Sequence, residues 1–154
     1  MKPNSGIVVR VGVFADIPQI SAWQVSMALE TEAMTLELGV VLKGVTHVLD
    51  HPDVGHYMVA EIDCIPVGCC LVLSEWSDWR NGSVLWIHSV FVEHAHRRSK
   101  VFASLYSALR ERVATDSSLR GLRLYVDKTN HKAIQVYEAL GMKREHYHLF
   151  EWMK

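Results

Sequence analysis

Apolar positions along the chain switch between a period of two and a period near 3.6. Ile7 to Val13 is a short β-type run. Asp16 follows as a helix N-cap, with Pro18 in the first turn and an apolar stripe through Ile20, Trp23 and Met27 toward Met34. Leu38 to Leu49 carries a second helical period through Val41, Leu42 and Val45, weakened by Gly39 and Gly44 and stopped at His51-Pro52-Asp53. Tyr57 to Ile62 and Val67 to Leu73 are β-rich, and Asp63 and Pro66 mark a hairpin turn between them. Ser74 to Gly82 reads as a second connection. A strand then begins at Leu85 and passes through the basic block His94 to Lys100 into a helix from Ser99 to Ala114. Asp116 to Ser118 is a loop and Leu122 to Val126 a strand. Asn130 to Leu140 is a helix closed by Gly141 at C′, and Tyr147 to Trp152 is a last strand.

The predicted order is one strand, two helices, three strands, helix, strand, helix, strand. Hairpins in the first half pair antiparallel, and the helix between the strands at Leu85 and Leu122 permits a parallel pair. The expected class is α/β, a mixed, mostly antiparallel central sheet with helices on both faces. A length of 154 residues predicts a single domain, 1–154.

Composition narrows the function classes. Hydrophobic residues make up 49% and charged residues 21%, ordinary globular usage. A net charge of −1 supplies no general attraction to nucleic acid or membrane, so any basic site is local. Cys64, Cys69 and Cys70 show no zinc spacing, no metal is expected, and an odd, clustered set fits a reducing compartment. With neither a signal-peptide h-region nor a membrane-length apolar run, a cytoplasmic location is expected.

The candidate chemistry centres on the strand-to-helix junction. Helix N-terminal N–H groups and cationic side chains meet there, a combination that binds phosphate. A loop whose charges are merely solvated is the other reading.

The residues then resemble a family. Arg97-Arg98-Ser99-Lys100-Val101-Phe102 lies where the GNAT superfamily of acetyl-CoA-dependent N-acetyltransferases carries Gln/Arg-x-x-Gly-x-Gly/Ala, the segment that cradles the pyrophosphate of coenzyme A. Lys100 replaces the central Gly and Phe102 the last small residue. Asn130 to Met142 resembles the family's Asn-x-x-Ala-x-x-x-Tyr-x-x-x-Gly-Phe, with Met142 in place of the aromatic. Trp76 to Gly82 and the strand after it are more weakly similar to spermidine/spermine acetyltransferases, but His88-Ser89 stands where those carry an acidic pair.

The resemblance implies a GNAT-like fold and acetyl-CoA as co-substrate. Val90, Phe91, Val92, Arg97 to Phe102, Asn130 and Tyr137 would contact it, with a backbone N–H near Val90 facing the thioester carbonyl. Tyr137 would protonate the leaving thiolate; on its own, a tyrosine on an amphipathic helix is core more often than catalyst, and the matching Asn, Ala and Gly offsets reverse that. His88 is the candidate base, or a structural histidine, with Glu75 and Asp78 as rival proton acceptors. Trp23, Glu30, Glu32, Glu75 and Asp78 are candidate contacts to a small-molecule primary amine; core and solvated roles stand beside these. A homodimer is the accompanying expectation. A non-catalytic acyl-CoA-binding or regulatory domain, and acetylation of protein N-termini or lysines, are the alternatives.

Overall fold

Each period-two run finds a ladder partner as far as Leu124. The structure, a computed structural model, describes residues 6–154. Its strands are β1 (Ile7–Val11), β2 (Gly55–Ile62), β3 (Ile65–Ser77), β4 (Gly82–Val92) and β5 (Leu119–Leu124). They form one sheet in that order, antiparallel through β4, with β4 and β5 parallel. The helices are α1 (Ile17–Glu32), α2 (Leu38–Asp50), α3 (Val101–Thr115) and α4 (His131–Ala139). This is the expected mixed, mostly antiparallel sheet. Contacts divide the chain into two compact units, one ending at Leu124 and one spanning Tyr125–Lys154. No helix among the described residues is long and apolar enough to cross a membrane.

Both faces of the sheet are covered, and successive residues show how. Cys69 packs with Ile20 and Trp23 of α1, Val45 and Val48 of α2, and Tyr57, Val59 and Phe91 of the sheet. Gly68, the preceding residue, points the other way. A Cβ on it would lie 3.1 Å from Val101 Cγ1 of α3 and 2.8 Å from the Phe91 carbonyl oxygen. So α3 lies on the face opposite α1 and α2, and Gly68 is where it comes close. Val101, Leu105, Tyr106 and Leu109 form its buried stripe.

Three local expectations are corrected. Asp16 precedes α1, but its carboxylate does not cap that helix. It turns back to accept the Val13 N–H at 2.8 Å and two hydrogen bonds from the Arg10 guanidinium, which also donates to Glu61. Arg10 holds the Asp16 carboxyl below its ordinary range. Ser74 to Ser77 is strand rather than connection, because it pairs with Gly82 to Leu85, and the turn shrinks to Asp78–Asn81 with Asn81 at φ 47°. Tyr147 to Trp152 forms no strand in the structure. A strand needs a ladder as well as propensity, and Tyr147, Leu149, Phe150 and Trp152 are exposed.

Candidate active site

The site begins with an irregularity in β4. Cys69 pairs with Phe91 and Leu71 with His88, so Ser89 and Val90 together oppose Cys70. This is a β-bulge, and Ser89 takes the left-handed conformation at φ 51°. The parallel ladder with β5 ends at the same level: its last pair is Ile87 with Leu124, while β4 continues to Val92. Ser89 to Val92 therefore run beyond the parallel ladder. Nothing in the residue types announces this bulge, since a left-handed serine has no signature of its own.

At the end of β4 the chain makes a 3₁₀ turn at His94–His96 and then a tight turn into α3. Arg98 and Lys100 both have positive φ, 68° and 64°. Lys100 is the N-cap of α3 and offers no side-chain acceptor to its first turn. The opening N–H groups of a helix cannot be reached by its own carbonyls, so here they are left to an external acceptor. Lys100 occupies the motif's glycine position in a glycine-favoured conformation. Its Cβ is strained there.

The basic residues of the block are not equivalent. Arg97 is held from three directions: Nε donates to the Val92 carbonyl at 3.0 Å, Nη2 donates to Glu30 at 2.7 Å, and the guanidinium lies 5.7 Å above the Phe91 ring. It ties the last turn of α1 to the junction. Arg98, Ser99 and Lys100 are exposed, and Arg98 and Lys100 form no ion pair among the described residues. A pyrophosphate fits this cradle of uncapped amides and two available cations.

The candidate acceptor residues scatter. Trp23 is a core residue, 2% exposed, stacked on Phe91, with its Nε1 donating to Glu93 at 2.5 Å. Glu30 is paired with Arg97. Glu32 is exposed at the end of α1. Glu75 pairs in register with Val84 and forms an ion pair with Arg123 at 3.5 Å. Asp78 lies in the β3–β4 turn, where Arg120 donates to the Arg80 and Asn81 carbonyls. Gly82 at the end of that turn is seven residues from Ser89, roughly 23 Å of strand. His88 immediately precedes the bulge, stacked with Trp86, and burial pushes its pKa down. It is the one candidate base at the level where β4 and β5 part.

In the second unit, Asn130 caps α4, its Oδ1 accepting the Ala133 N–H at 3.1 Å. At the other end Gly141, at φ 90°, donates to the Glu138 carbonyl, and Met142 N–H reaches the Tyr137 carbonyl. That pair of bonds is a Schellman motif, the cap expected from Gly141. Burial raises the Tyr137 phenol above its ordinary pKa. Among the described residues no group of three or more His, Cys, Asp or Glu is placed to hold a metal ion.

Residues 21–142 match the acetyltransferase (GNAT) family. The chain belongs to that family. Among solved structures it is similar to a possible acetyltransferase from Clostridium difficile 630, at 34% identity over 97% of this chain and 99% of that one, TM-score 0.89. The acetyltransferase fold recurs at lower identity. AAC(6')-Iy, in complex with the bisubstrate analogue CoA-S-monomethyl-acetylneamine, shares 16% identity over 97% and 99% of the two chains, TM-score 0.76. An aminoglycoside acetyltransferase from an uncultured soil metagenomic sample, in complex with sisomicin, shares 14% over 98% and 99%, TM-score 0.76. No curated protein matches the chain. The junction and the Asn130–Met142 segment are thus parts of a GNAT acetyltransferase domain.

Proposed function

We propose that this GNAT protein transfers an acetyl group from acetyl-CoA to the primary amine of a small molecule. The observation that carries the reading is the coincidence at β4: the end of the β5 ladder at Ile87, the bulge at Ser89–Val90 and the left-handed turn into α3 follow one another within fourteen residues, Ile87 to Lys100.

The roles follow from the chemistry. The pyrophosphate of coenzyme A is held by the first-turn amides of α3 with Arg98 and Lys100, and the thioester arm lies along the open stretch from Val90 to Val92. A backbone N–H near Val90 stabilises the charge that develops on the carbonyl oxygen. His88, held neutral by burial, accepts the proton of the attacking ammonium, directly or through water. Tyr137, whose phenol is kept protonated by burial, donates a proton to the leaving thiolate. Bond by bond, the amine nitrogen gains the acetyl carbon and sheds its second proton, which replaces through water the one Tyr137 gives up, while the carbon–sulfur bond breaks and the thiolate leaves as thiol.

The test is thiol release from acetyl-CoA with a panel of primary amines, the N-acetyl product being identified by mass. The acid limb of kcat/KM should fall below the ordinary histidine value of about 6.5, and His88→Gln should remove it. Coenzyme A binding without thiol release from any amine would reject the enzyme and leave a binding domain.

A further inference from the structure

Trp86, His88 and Arg123 share one face of the sheet. Trp86 and His88 are two residues apart on β4, so their side chains leave the same side. Arg123 of β5 is the register partner of Trp86, and Leu71 of β3 is the partner of His88. Leu71 packs on the core that α1 and α2 cover, so this is the face of those two helices, opposite α3.

On that face the three side chains form a stack. The Arg123 guanidinium carbon lies 5.8 Å from the Trp86 ring centroid, within cation–π reach. The Trp86 and His88 rings lie nearly parallel, their centroids 6.1 Å apart and their planes at 26°. Glu75 of β3 closes the row by pairing with Arg123 at 3.5 Å. The order is carboxylate, guanidinium, indole, imidazole, and it ends at the residue before the bulge. Trp86 and His88 are both half-buried. An imidazole in water turns about two bonds; one stacked on an indole that is itself held has fewer orientations to lose when it acts.

The charged and titratable groups beside His88 on this face come from three elements. β3 brings Cys69 and Glu75, β5 brings Arg123, and α1 brings Glu30 and Glu32. Glu75 and Arg123 offset each other, Glu30 is bound to Arg97, and Glu32 is exposed at the end of α1. Burial keeps the Cys69 thiol protonated. On the strand's own continuation, Glu93 accepts the Trp23 N–H. Burial is what lowers the His88 pKa, and the indole stacked beside it supplies part of that burial.

We propose that Trp86, braced by Arg123, is the positioning residue for His88: the indole sets the direction of the imidazole and keeps water from one side of it. This rests on the reading of His88 as the base of acetyl transfer.

Two readouts test it. The first needs no substrate: NMR titration of the His88 imidazole, its signals identified by their loss in His88→Gln. Trp86→Leu should move that titration up toward the ordinary value of about 6.5. Arg123→Gln should move it the same way by less. The second is kcat/KM against pH with the primary amine of the panel that turns over fastest. Trp86→Leu should lower kcat by about tenfold or more, the scale of a misplaced catalytic group, and carry the acid limb upward with the titration. Trp86→Phe restores a ring to the stack and should recover most of both. Coenzyme A affinity should hold in all three variants. An unmoved titration in folded Trp86→Leu would overturn the proposal, and so would an unmoved titration in Arg123→Gln together with a Trp86→Phe protein no better than Trp86→Leu. His88→Gln retaining the acid limb would instead reject His88 as the base, and this inference with it.

Discussion

Arg97 Nη2 donates to Glu30 Oε2 at 2.7 Å, a bond between residues sixty-seven positions apart that joins the cofactor junction to the end of α1. Its guanidinium is therefore already engaged, whereas Arg98 and Lys100 are available to an anion. Arg98→Ala and Lys100→Ala should each weaken coenzyme A binding by about tenfold, the scale of one charge-assisted contact. Both losses should shrink as salt rises. Arg97→Ala should affect affinity less and stability more, because it also abandons the Val92 carbonyl. Calorimetric titration at two salt concentrations checks the ranking. A larger loss for Arg97→Ala than for the other two would show that Arg97 leaves Glu30 for the phosphates.

Lys100 lies at φ 64°, where a Cβ is unfavourable. Lys100→Gly should relieve about 1–3 kcal/mol of left-handed strain and return about 0.5–1 kcal/mol of it to unfolded-chain entropy. The net gain should raise the melting temperature by about 2–4 °C for a domain of this size. Affinity for coenzyme A should fall because the charge is lost. A melting scan showing no gain would mean that the strain is relieved elsewhere in the turn.

Acid should destabilise the fold well before its carboxylates titrate. His56 Nε2 sits 2.9 Å from Arg112 Nη1, and burial followed by that cation lowers the His56 pKa; burial does the same to His88. A histidine depressed in the folded state contributes stability that is fully present above its unfolded value of about 6.5. As pH falls below that value, the unfolded chain takes up protons that the folded chain refuses, and the contribution is lost. Melting temperature should drop between pH 7.5 and 5.5, and His56→Gln should flatten the drop. Asp16, held low by Arg10, adds a separate loss below the ordinary carboxylate range.

Tyr137→Phe keeps the ring and removes the hydroxyl. If the phenol protonates the thiolate, kcat should fall by roughly 10²- to 10⁴-fold, the range for a positioned acid. Coenzyme A affinity should hold, and so should the melting temperature of the variant. Near-normal turnover, with chemistry shown to be rate-limiting, would assign the proton to another donor.

Much of the frame was legible because its causes are local. Asn130 and Gly141 announce the two caps of α4, Asp63 marks the β2–β3 turn (which it makes with Cys64, while Pro66 already pairs within β3), and the basic block before Val101 marks a strand feeding a helix. The alternation at Tyr147 to Trp152 has the same local origin, yet no ladder forms there, since propensity cannot supply a partner strand. What only the tertiary structure decided depends on distant neighbours. The bulge at Ser89–Val90 is defined by the register against Cys70, and the end of the parallel ladder by where β5 stops. Trp23 is core because Phe91 and Glu93 meet it there. Arg97 and Glu30, both read as ligand contacts, are partners because α1 ends at the junction. Periodicity encodes which face of an element is apolar; which charge meets which is set only when the elements pack.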